Sequence, residues 1–374
     1  MNNLVRIAPG ALELGRPLPW NVYDANGNVL LRQGYVIQTD NQLEQLFERG
    51  RFKPRKIERP QEDIVEDQRQ RNPFADYADL LQSLEATLNA ITEGDPSAQK
   101  RLMGLTRMIE RTCIEAPDAS LALVHLYSIG PTILEQTLFY AILCQFTGRQ
   151  FGLDDKRTSV LTAAALTANL ALVPVADQLN ASNKLLSPDQ RQVISKHPER
   201  SVQALQDASI DNALIATIIA QHHEQADGKG YPYGLSGTEI RPEAEILALC
   251  ERYVAMITKR AYRTRMNVTE ARRLIATLGD GTFRPAIPKA LLKVLGDYPP
   301  GVLVRLDNNE VGVVCGRPVR ARGPFVKAIF GPRGNRYSGT FERDTSLLEY
   351  NIRALEEPEV MPSMDFSLIW GFRS

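Results

Sequence analysis

The sequence lacks the features of secreted and membrane-spanning proteins. Its four cysteines are scattered among 374 residues without a CxxC pair, so they are expected to be reduced core thiols rather than a disulfide framework. No uninterrupted apolar run approaches the ~18 residues that a membrane span needs. The first 15 residues contain no basic segment followed by an apolar run, so no signal peptide is expected. These absences predict a cytoplasmic protein without a membrane span.

The sequence also lacks an excess of charge of either sign. Lysine and arginine total 44, and aspartate and glutamate total 44. A neutral chain has no general attraction to nucleic acid or to anionic lipid, so nucleic acid is not an expected partner. The length is sufficient for two or three domains with a substantial core.

Histidine is scarce, and its positions are informative. Only four histidines occur, and two of them, His222 and His223, are adjacent within residues 221–237, which read QHHEQADGKGYPYGLSG. Each lies four residues after an isoleucine of an apolar helical pattern, so both are predicted to extend the inward face of that helix. A third, His197, precedes a proline upstream. This clustering predicts a functional site or the remains of one.

The segments HHE, DGKGYP and GL in this stretch resemble the HD-GYP family of metal-dependent phosphohydrolases, which act on cyclic di-GMP. Two further segments match at similar spacing: LLSPDQRQVISKHP, which ends at residue 198, and EILALCERYVAMITKRAYR at residues 245–263. The segment GDYPPGVLVRL at residues 296–306 looks like the usual end of the family's domain. The resemblance covers roughly residues 120–315 and implies a mainly α-helical, HD-domain-like bundle.

The resemblance also implies functional positions. Positions that hold metal in the family correspond here to His197, His222, His223 and Glu251, where Glu251 stands for an aspartate. The loop that gives the family the second half of its name corresponds to Asp227, Gly228, Gly230, Tyr231 and Pro232. Two arginines further along, Arg260 and Arg263, are candidates for contact with phosphate.

Four positions depart from the family's pattern. The His-Asp pair corresponds to Ala168 and Asn169, a lysine corresponds to Leu172, and an earlier histidine corresponds to Gln136. Alanine has no ligand atom, and a neutral amide cannot bridge two cations as a carboxylate does. The sequence therefore predicts a degenerate site without catalytic residues, in a protein that is not an enzyme.

The remaining histidines and Glu251 allow two interpretations. Three imidazoles and a carboxylate would suit one divalent iron, manganese or zinc ion. In the other interpretation no cofactor binds, the histidines are satisfied core groups, and Glu251 pairs with an arginine such as Arg252 or Arg263.

Three functional hypotheses follow. The preferred one is a non-catalytic bacterial signalling protein that acts through protein contacts, for example with a diguanylate cyclase-type partner or as a homodimer, and senses cyclic di-GMP. The first alternative is a weak phosphodiesterase that uses a single metal ion. The second is a purely structural interaction module. In all three the loop keeps a rigid shape, since its glycines and proline restrict the backbone.

Four units are predicted along the chain. They are an N-terminal α/β hairpin-helix unit (1–57), a charged linker with a helical hairpin (58–117), the degenerate HD-GYP helical domain (118–298), and a β-rich C-terminal unit (299–374). The last unit contains a cluster of arginines, including Arg305, Arg317, Arg320 and Arg322, that could attract a phosphodiester or an acidic partner or could simply form a solvated rim.

Two helices near the candidate site are predicted from local patterns. Residues 158–172 read as one continuous apolar helix. A capping box at residues 187–190 begins another helix, with proline at its first position. That helix is predicted to stop at His197, because the next residue is Pro198.

Overall fold

The structure is a computed structural model that describes residues 4–7, 12, 14–25, 27–52, 71–175, 187–259, 264–279, 281–318, 323–358 and 361–372. Several predicted features lie outside these residues: Arg260, Arg263, Arg320, Arg322 and almost all of the charged linker.

The N-terminal unit combines a small sheet with one helix. Its elements are β1 (Val5–Arg6), β2 (Val22–Tyr23), β3 (Val29–Leu31), α1 (Asp40–Arg49) and β4 (Arg51–Phe52). The strands are antiparallel in the order β1-β4-β2-β3, so the predicted hairpin of β2 and β3 is confirmed. The Thr39 side chain accepts a hydrogen bond from the Gln42 amide and caps α1. This unit has a hydrophobic core of its own.

The middle of the chain is helical. The helices are α2 (Pro73–Thr92), α3 (Ala98–Glu115), α4 (Pro117–Leu126), α5 (Ile133–Phe151), α6 (Asp155–Thr167), α7 (Pro188–Asp207), α8 (Ala213–Gln221), α9 (Pro242–Ile257), α10 (Val268–Thr277) and α11 (Ala286–Leu295). Helix α5 is buried on almost every side and packs against α6, α9 and α11. A helix that is apolar around its circumference belongs inside a bundle.

One helical stretch, Asp155–Val175, is long and apolar enough to cross a membrane by length and composition. It includes α6, and 61% of its apolar window is buried inside the fold. Burial of this kind is typical of the core helix of a soluble protein. The stretch is therefore weak evidence for a membrane span, although no segment was predicted to have the length and apolar composition of one.

The end of α6 differs from the sequence prediction. The helix stops at Thr167 instead of continuing, and a short 3-10 turn, Leu170–Leu172, follows. At the break, Asn169 has φ −99° and ψ 16°, and its side chain bonds two buried groups, Tyr140 and Glu251. Short polar side chains favour such breaks because their own hydrogen bonds compete with the helix.

Helix α7 also differs from the prediction, because it runs through Pro198 to Asp207. A proline inside a helix leaves the carbonyl four residues earlier without its usual N–H donor. Here that carbonyl belongs to Ile194, and it accepts a hydrogen bond from Nδ1 of His197 at 2.5 Å. The histidine replaces the missing backbone donor, so the helix continues.

The C-terminal unit is a five-stranded antiparallel sheet in the order β8-β7-β6-β5-β9, followed by a short helix. Its elements are β5 (Leu303–Leu306), β6 (Val311–Gly316), β7 (Phe325–Phe330), β8 (Arg336–Asp344), β9 (Ile352–Glu356) and α12 (Phe366–Trp370). Buried residues of this sheet share one core with the helical bundle. The fold is thus mainly α with small α/β and β-rich units at its ends, as predicted.

Two arginines of the predicted cluster in this unit form ion pairs within the described part of the chain. Arg305 pairs with Glu356, and Arg317 pairs with Asp118, each at 2.5 Å. These two guanidinium groups therefore already have carboxylate partners within the fold, and the choice between a ligand-binding patch and a solvated rim stays a prediction. The four predicted domain boundaries stay predictions.

Candidate metal centre

Three of the four histidines converge in the helical bundle. His197 lies on α7, His222 ends α8, and His223 follows it directly. One ring nitrogen from each lies within 4.8 Å of the others. His197 and His222 are fully buried, while His223 is half-buried. The fourth, His125, lies elsewhere with both ring nitrogens hydrogen-bonded, to the Pro300 carbonyl and the Tyr253 hydroxyl.

The hydrogen bonds of His197 and His222 define their tautomers. Nδ1 of His197 donates to a carbonyl of its own helix, and Nδ1 of His222 donates to the Ile219 carbonyl at 2.6 Å. A carbonyl can only accept, so each Nδ1 carries the proton and each Nε2 presents a lone pair. The two Nε2 atoms face each other at 3.3 Å. Two lone pairs at this distance repel unless a proton or a metal ion lies between them.

Burial disfavours a proton between these two nitrogen atoms. It lowers the pKa of His222, and together with the neighbouring His222 charge it lowers the pKa of His197 to about 3. Burial also lowers the pKa of His223 well below its usual value. The three imidazoles are therefore neutral near pH 7, which is the form that binds metal.

Glu251 supplies a carboxylate beside the histidines. Its Oε1 accepts a hydrogen bond from Nδ2 of Asn169 at 3.0 Å. Its Oε2 is buried without a hydrogen-bond partner among the described residues and lies 3.8 Å from Nε2 of His222. A buried carboxylate oxygen without a partner is costly. The two facing acceptor nitrogens, a ring nitrogen of His223 within 4.8 Å of them and this oxygen therefore fit a divalent cation better than a set of groups that satisfy one another.

Of the four positions expected to be degenerate, Asn169 has a direct contact with the site, through Glu251. Asn169 is buried within the site and also donates to the Tyr140 hydroxyl at 3.1 Å. Ala168 is buried in the core, and Leu172 is half-buried on the 3-10 turn. Gln136 donates to the Pro131 carbonyl at 3.2 Å, which is a partner outside the histidine cluster.

Tyr140 is a site residue that the sequence reasoning missed. Its hydroxyl bonds both Asn169 and, at 2.7 Å, Thr137. The available signal was the spacing of four residues between Gln136 and Tyr140, which is one turn of a helix. A tyrosine four residues after a suspected site position faces the same side.

The loop after His223 is held by a buried carboxylate. Glu224 accepts the backbone N–H groups of Tyr233 at 2.7 Å and Leu235 at 2.9 Å. Gly230 allows the loop to pass close to the backbone of Glu224, because a Cβ at position 230 would lie 2.4 Å from the Glu224 Cα. Tyr231 then stacks on the His223 ring, with ring centroids 4.7 Å apart. The loop thus forms one side of the cluster.

Other loop residues have local roles. Gly228 and Gly234 have φ of +75° and +68°, a region that favours glycine. Asp227 is exposed and pairs with Lys229 at 3.0 Å. Pro232 follows a cis peptide bond with Tyr231. Half-exposed groups in this region are His223, Tyr231 and Glu251, so the cluster is accessible from their side.

Comparison with known proteins identifies the helical region. Residues 105–283 match the model of the HD domain family. The chain is 32% identical over 227 residues to a cyclic di-GMP phosphodiesterase of Pseudomonas aeruginosa, covering 60% of this chain and 54% of the relative. It is 24% identical over 174 residues to a cyclic di-GMP phosphodiesterase of Borreliella burgdorferi, covering 46% of each. The chain spans about half the length of these curated relatives.

A solved structure supports the fold. An HDG"Y"P protein from Bdellovibrio bacteriovorus, Bd1817, aligns with a TM-score of 0.56 at 19% identity. The alignment covers 78% of this chain and 99% of that protein.

The relatives correct one prediction. Several of them are named cyclic di-GMP phosphodiesterases, which points to an enzyme, so the prediction that the chain is not an enzyme is wrong. That prediction counted the replaced positions and treated the loss of a bridging carboxylate as the loss of catalysis. It gave too little weight to the three imidazoles and the carboxylate that remain together. The match over residues 105–283 identifies an HD domain in this chain, and the relatives named as cyclic di-GMP phosphodiesterases, together with the shared fold, support its likeness to HD-GYP proteins.

Proposed function

We propose that this chain hydrolyses a phosphodiester bond of cyclic di-GMP with one divalent cation held by His197, His222, His223 and Glu251. The observation that carries the proposal is the 3.3 Å separation of the two Nε2 atoms of His197 and His222, both with lone pairs. Relatives named for this activity support the choice of substrate.

The donor set determines which cation suits the site. Imidazole nitrogens with one carboxylate favour manganese, iron or zinc over calcium or magnesium, which prefer all-oxygen sites. Such a cation would polarise a phosphate oxygen and lower the pKa of a water molecule near it. One cation lacks the second half of a two-metal clamp, so we expect slow turnover.

The residues of this chain orient and shield the reacting groups. The carbonyls that bind each Nδ1–H direct the Nε2 atoms of His197 and His222 inward. Glu251 would offset part of the charge of a cation bound here. Tyr231 covers one face of the His223 ring and limits water on that side. The half-exposed side of the cluster leaves a route for the substrate phosphate.

Cyclic di-GMP signalling is the setting in which this activity belongs, and we infer that the loop also contacts a protein. Tyr233 supports this inference, because its side chain is 56% exposed while its backbone N–H is held by the buried Glu224. A rigidly placed, exposed tyrosine is typical of contact surfaces. A diguanylate cyclase-type partner, a homodimer and a cytoplasmic location stay predictions.

Product analysis with matched histidine variants tests the proposal. Purified chain loaded with Mn²⁺, and separately with Fe²⁺ under anaerobic conditions, is incubated with cyclic di-GMP, and linear product is measured by chromatography. We expect product from the parent and from His125→Gln, which alters a histidine outside the cluster, but none from His223→Ala. No product with either metal, or full activity in His223→Ala, would overturn the proposal.

A further inference from the structure

Asn169 occupies a position from which it sets the orientation of Glu251. Its Nδ2 donates one hydrogen to Glu251 Oε1 at 3.0 Å and another to the Tyr140 hydroxyl at 3.1 Å. Both donors of the amide are therefore used. Because a carboxylate can only accept, Nδ2 must be the atom that faces Glu251, and the amide cannot be reversed without losing this bond.

The chain of hydrogen bonds continues in one direction. The Tyr140 hydroxyl accepts from Asn169, so its own hydrogen is available for Oγ1 of Thr137 at 2.7 Å. Asn169, Tyr140 and Thr137 are all buried. A buried chain in which each member has its partner holds its first donor in a fixed place.

The consequence for Glu251 is an asymmetric carboxylate. Oε1 is bonded to the amide, while Oε2 has no partner among the described residues and faces the imidazole cluster, 3.8 Å from His222 Nε2. Without the amide, the carboxylate could rotate and present either oxygen, or turn toward its exposed side. A carboxylate at position 169 could not donate this hydrogen bond and, without a cation between them, would repel Glu251.

We infer that Asn169 is a positioning residue, which presents Oε2 of Glu251 to the cation through its hydrogen bond to Oε1. The inference deepens the proposed function and depends on its metal site. It also gives a role to Asn169, which in the sequence stands where the family has a metal-binding aspartate. Partners that orient metal ligands are worth about 10- to 100-fold in metal affinity.

A double-mutant cycle on Mn²⁺ affinity tests the inference. Isothermal titration calorimetry on the full chain compares the parent, Asn169→Ala, Glu251→Gln and the double variant. We expect Asn169→Ala to weaken Mn²⁺ binding about 10- to 100-fold. Since Asn169 acts through Glu251, the double variant should bind no more weakly than Glu251→Gln alone.

Two further variants protect the test against misfolding. Leucine has nearly the same shape as asparagine but lacks the amide donor. Asn169→Leu therefore serves as the test variant if Asn169→Ala does not fold. Tyr140→Phe removes the second partner of the amide and leaves its bond to Glu251, so its effect should be smaller than that of Asn169→Ala.

The outcomes separate this inference from the proposed function. A parent that takes up no Mn²⁺ overturns both. A parent that binds Mn²⁺ while Asn169→Ala and Asn169→Leu bind it equally well overturns only the positioning role. An effect of Asn169→Ala that persists in full in the Glu251→Gln background also overturns it, because the amide would then act by another route.

Discussion

Two carboxylates in this protein, the buried Glu310 and the half-exposed Glu251, differ in how their hydrogen bonds are completed. Glu310, at the edge of β6, is bonded at both oxygens: Arg343 donates to Oε2 at 2.6 Å and to Oε1 at 2.7 Å, and the Tyr337 hydroxyl donates to Oε1 at 2.6 Å. Arg343 lowers the pKa of Glu310 to about 2. Glu251, in the helical bundle, uses one oxygen and leaves the other without a partner among the described residues.

The histidines repeat this contrast. His125 bonds through both ring nitrogens, whereas His197 and His222 each bond a carbonyl through Nδ1 and direct Nε2 toward the other. Closed clusters of polar groups make a fold specific and stable. Buried acceptor atoms without hydrogen-bond partners destabilise the folded protein. Their presence is accounted for if a ligand binds to them.

The largest expected effect is a loss of stability at Glu310, whose two oxygens both have hydrogen-bond partners. Arg343→Leu leaves Glu310 buried without its cation, which we expect to lower the free energy of unfolding by about 3–5 kcal/mol. Urea unfolding measures the change. Affinity for Mn²⁺ should stay within about two-fold of the parent, because Arg343 does not touch the histidine cluster. A loss of metal affinity without a loss of stability would break the comparison.

At the histidine cluster we expect the opposite pattern, a large loss of metal affinity with a smaller loss of stability. His222→Ala removes a proposed ligand, so Mn²⁺ affinity should fall by more than the ~100-fold that an orienting partner is worth. The free energy of unfolding of the metal-free protein should change less than in Arg343→Leu, since one Nε2 no longer faces another. Calorimetry and urea unfolding of the same preparation measure the two quantities. A variant that binds Mn²⁺ normally would contradict the assignment.

The dependence of stability on pH tests the role of His125, whose two ring nitrogens are both hydrogen-bonded. Burial lowers the pKa of His125 from 6.5 to about 4 in the folded protein. The unfolded chain therefore binds the proton first, so this contribution to stability is complete above pH 6.5 and is lost as the pH falls toward 4. Between pH 6.5 and about pH 5 the parent should lose roughly 2 kcal/mol that His125→Gln does not lose. Equal losses in both proteins, measured by urea unfolding, would contradict this account.

The smallest effect is expected on the loop surface. Asp227→Asn removes an ion pair with Lys229, whose side chain is 81% exposed. Exposed pairs contribute little, so neither the unfolding midpoint nor Mn²⁺ affinity should change measurably. A large loss of metal binding would show that the loop, rather than the buried cluster, controls the site.

Local patterns in the sequence predicted much of the fold and the location of the site. The capping box at Ser187 begins a helix where expected, because capping depends on neighbouring residues. The predicted stop before Pro198 was wrong, since the compensating bond comes from a side chain. Which nitrogen of a histidine is used can be read only from three-dimensional contacts.

The role of Asn169 was the least predictable part of the site. Its partners, Tyr140 and Glu251, lie 29 residues before it and 82 after it, so no local pattern connects them. Comparison with the family's motif indicated only a missing carboxylate. Contacts between residues distant in sequence decide whether a substitution removes the function of a site or gives the new residue a different role in it.

Elemental analysis of the purified chain tests the central claim most directly. Mass spectrometry for manganese, iron and zinc, after loading with each metal and removal of the excess, counts ions per chain in the parent and in His222→Ala. The account predicts one ion per parent chain and none in the variant. A parent chain without metal, or an equal amount of metal in the variant, would contradict it.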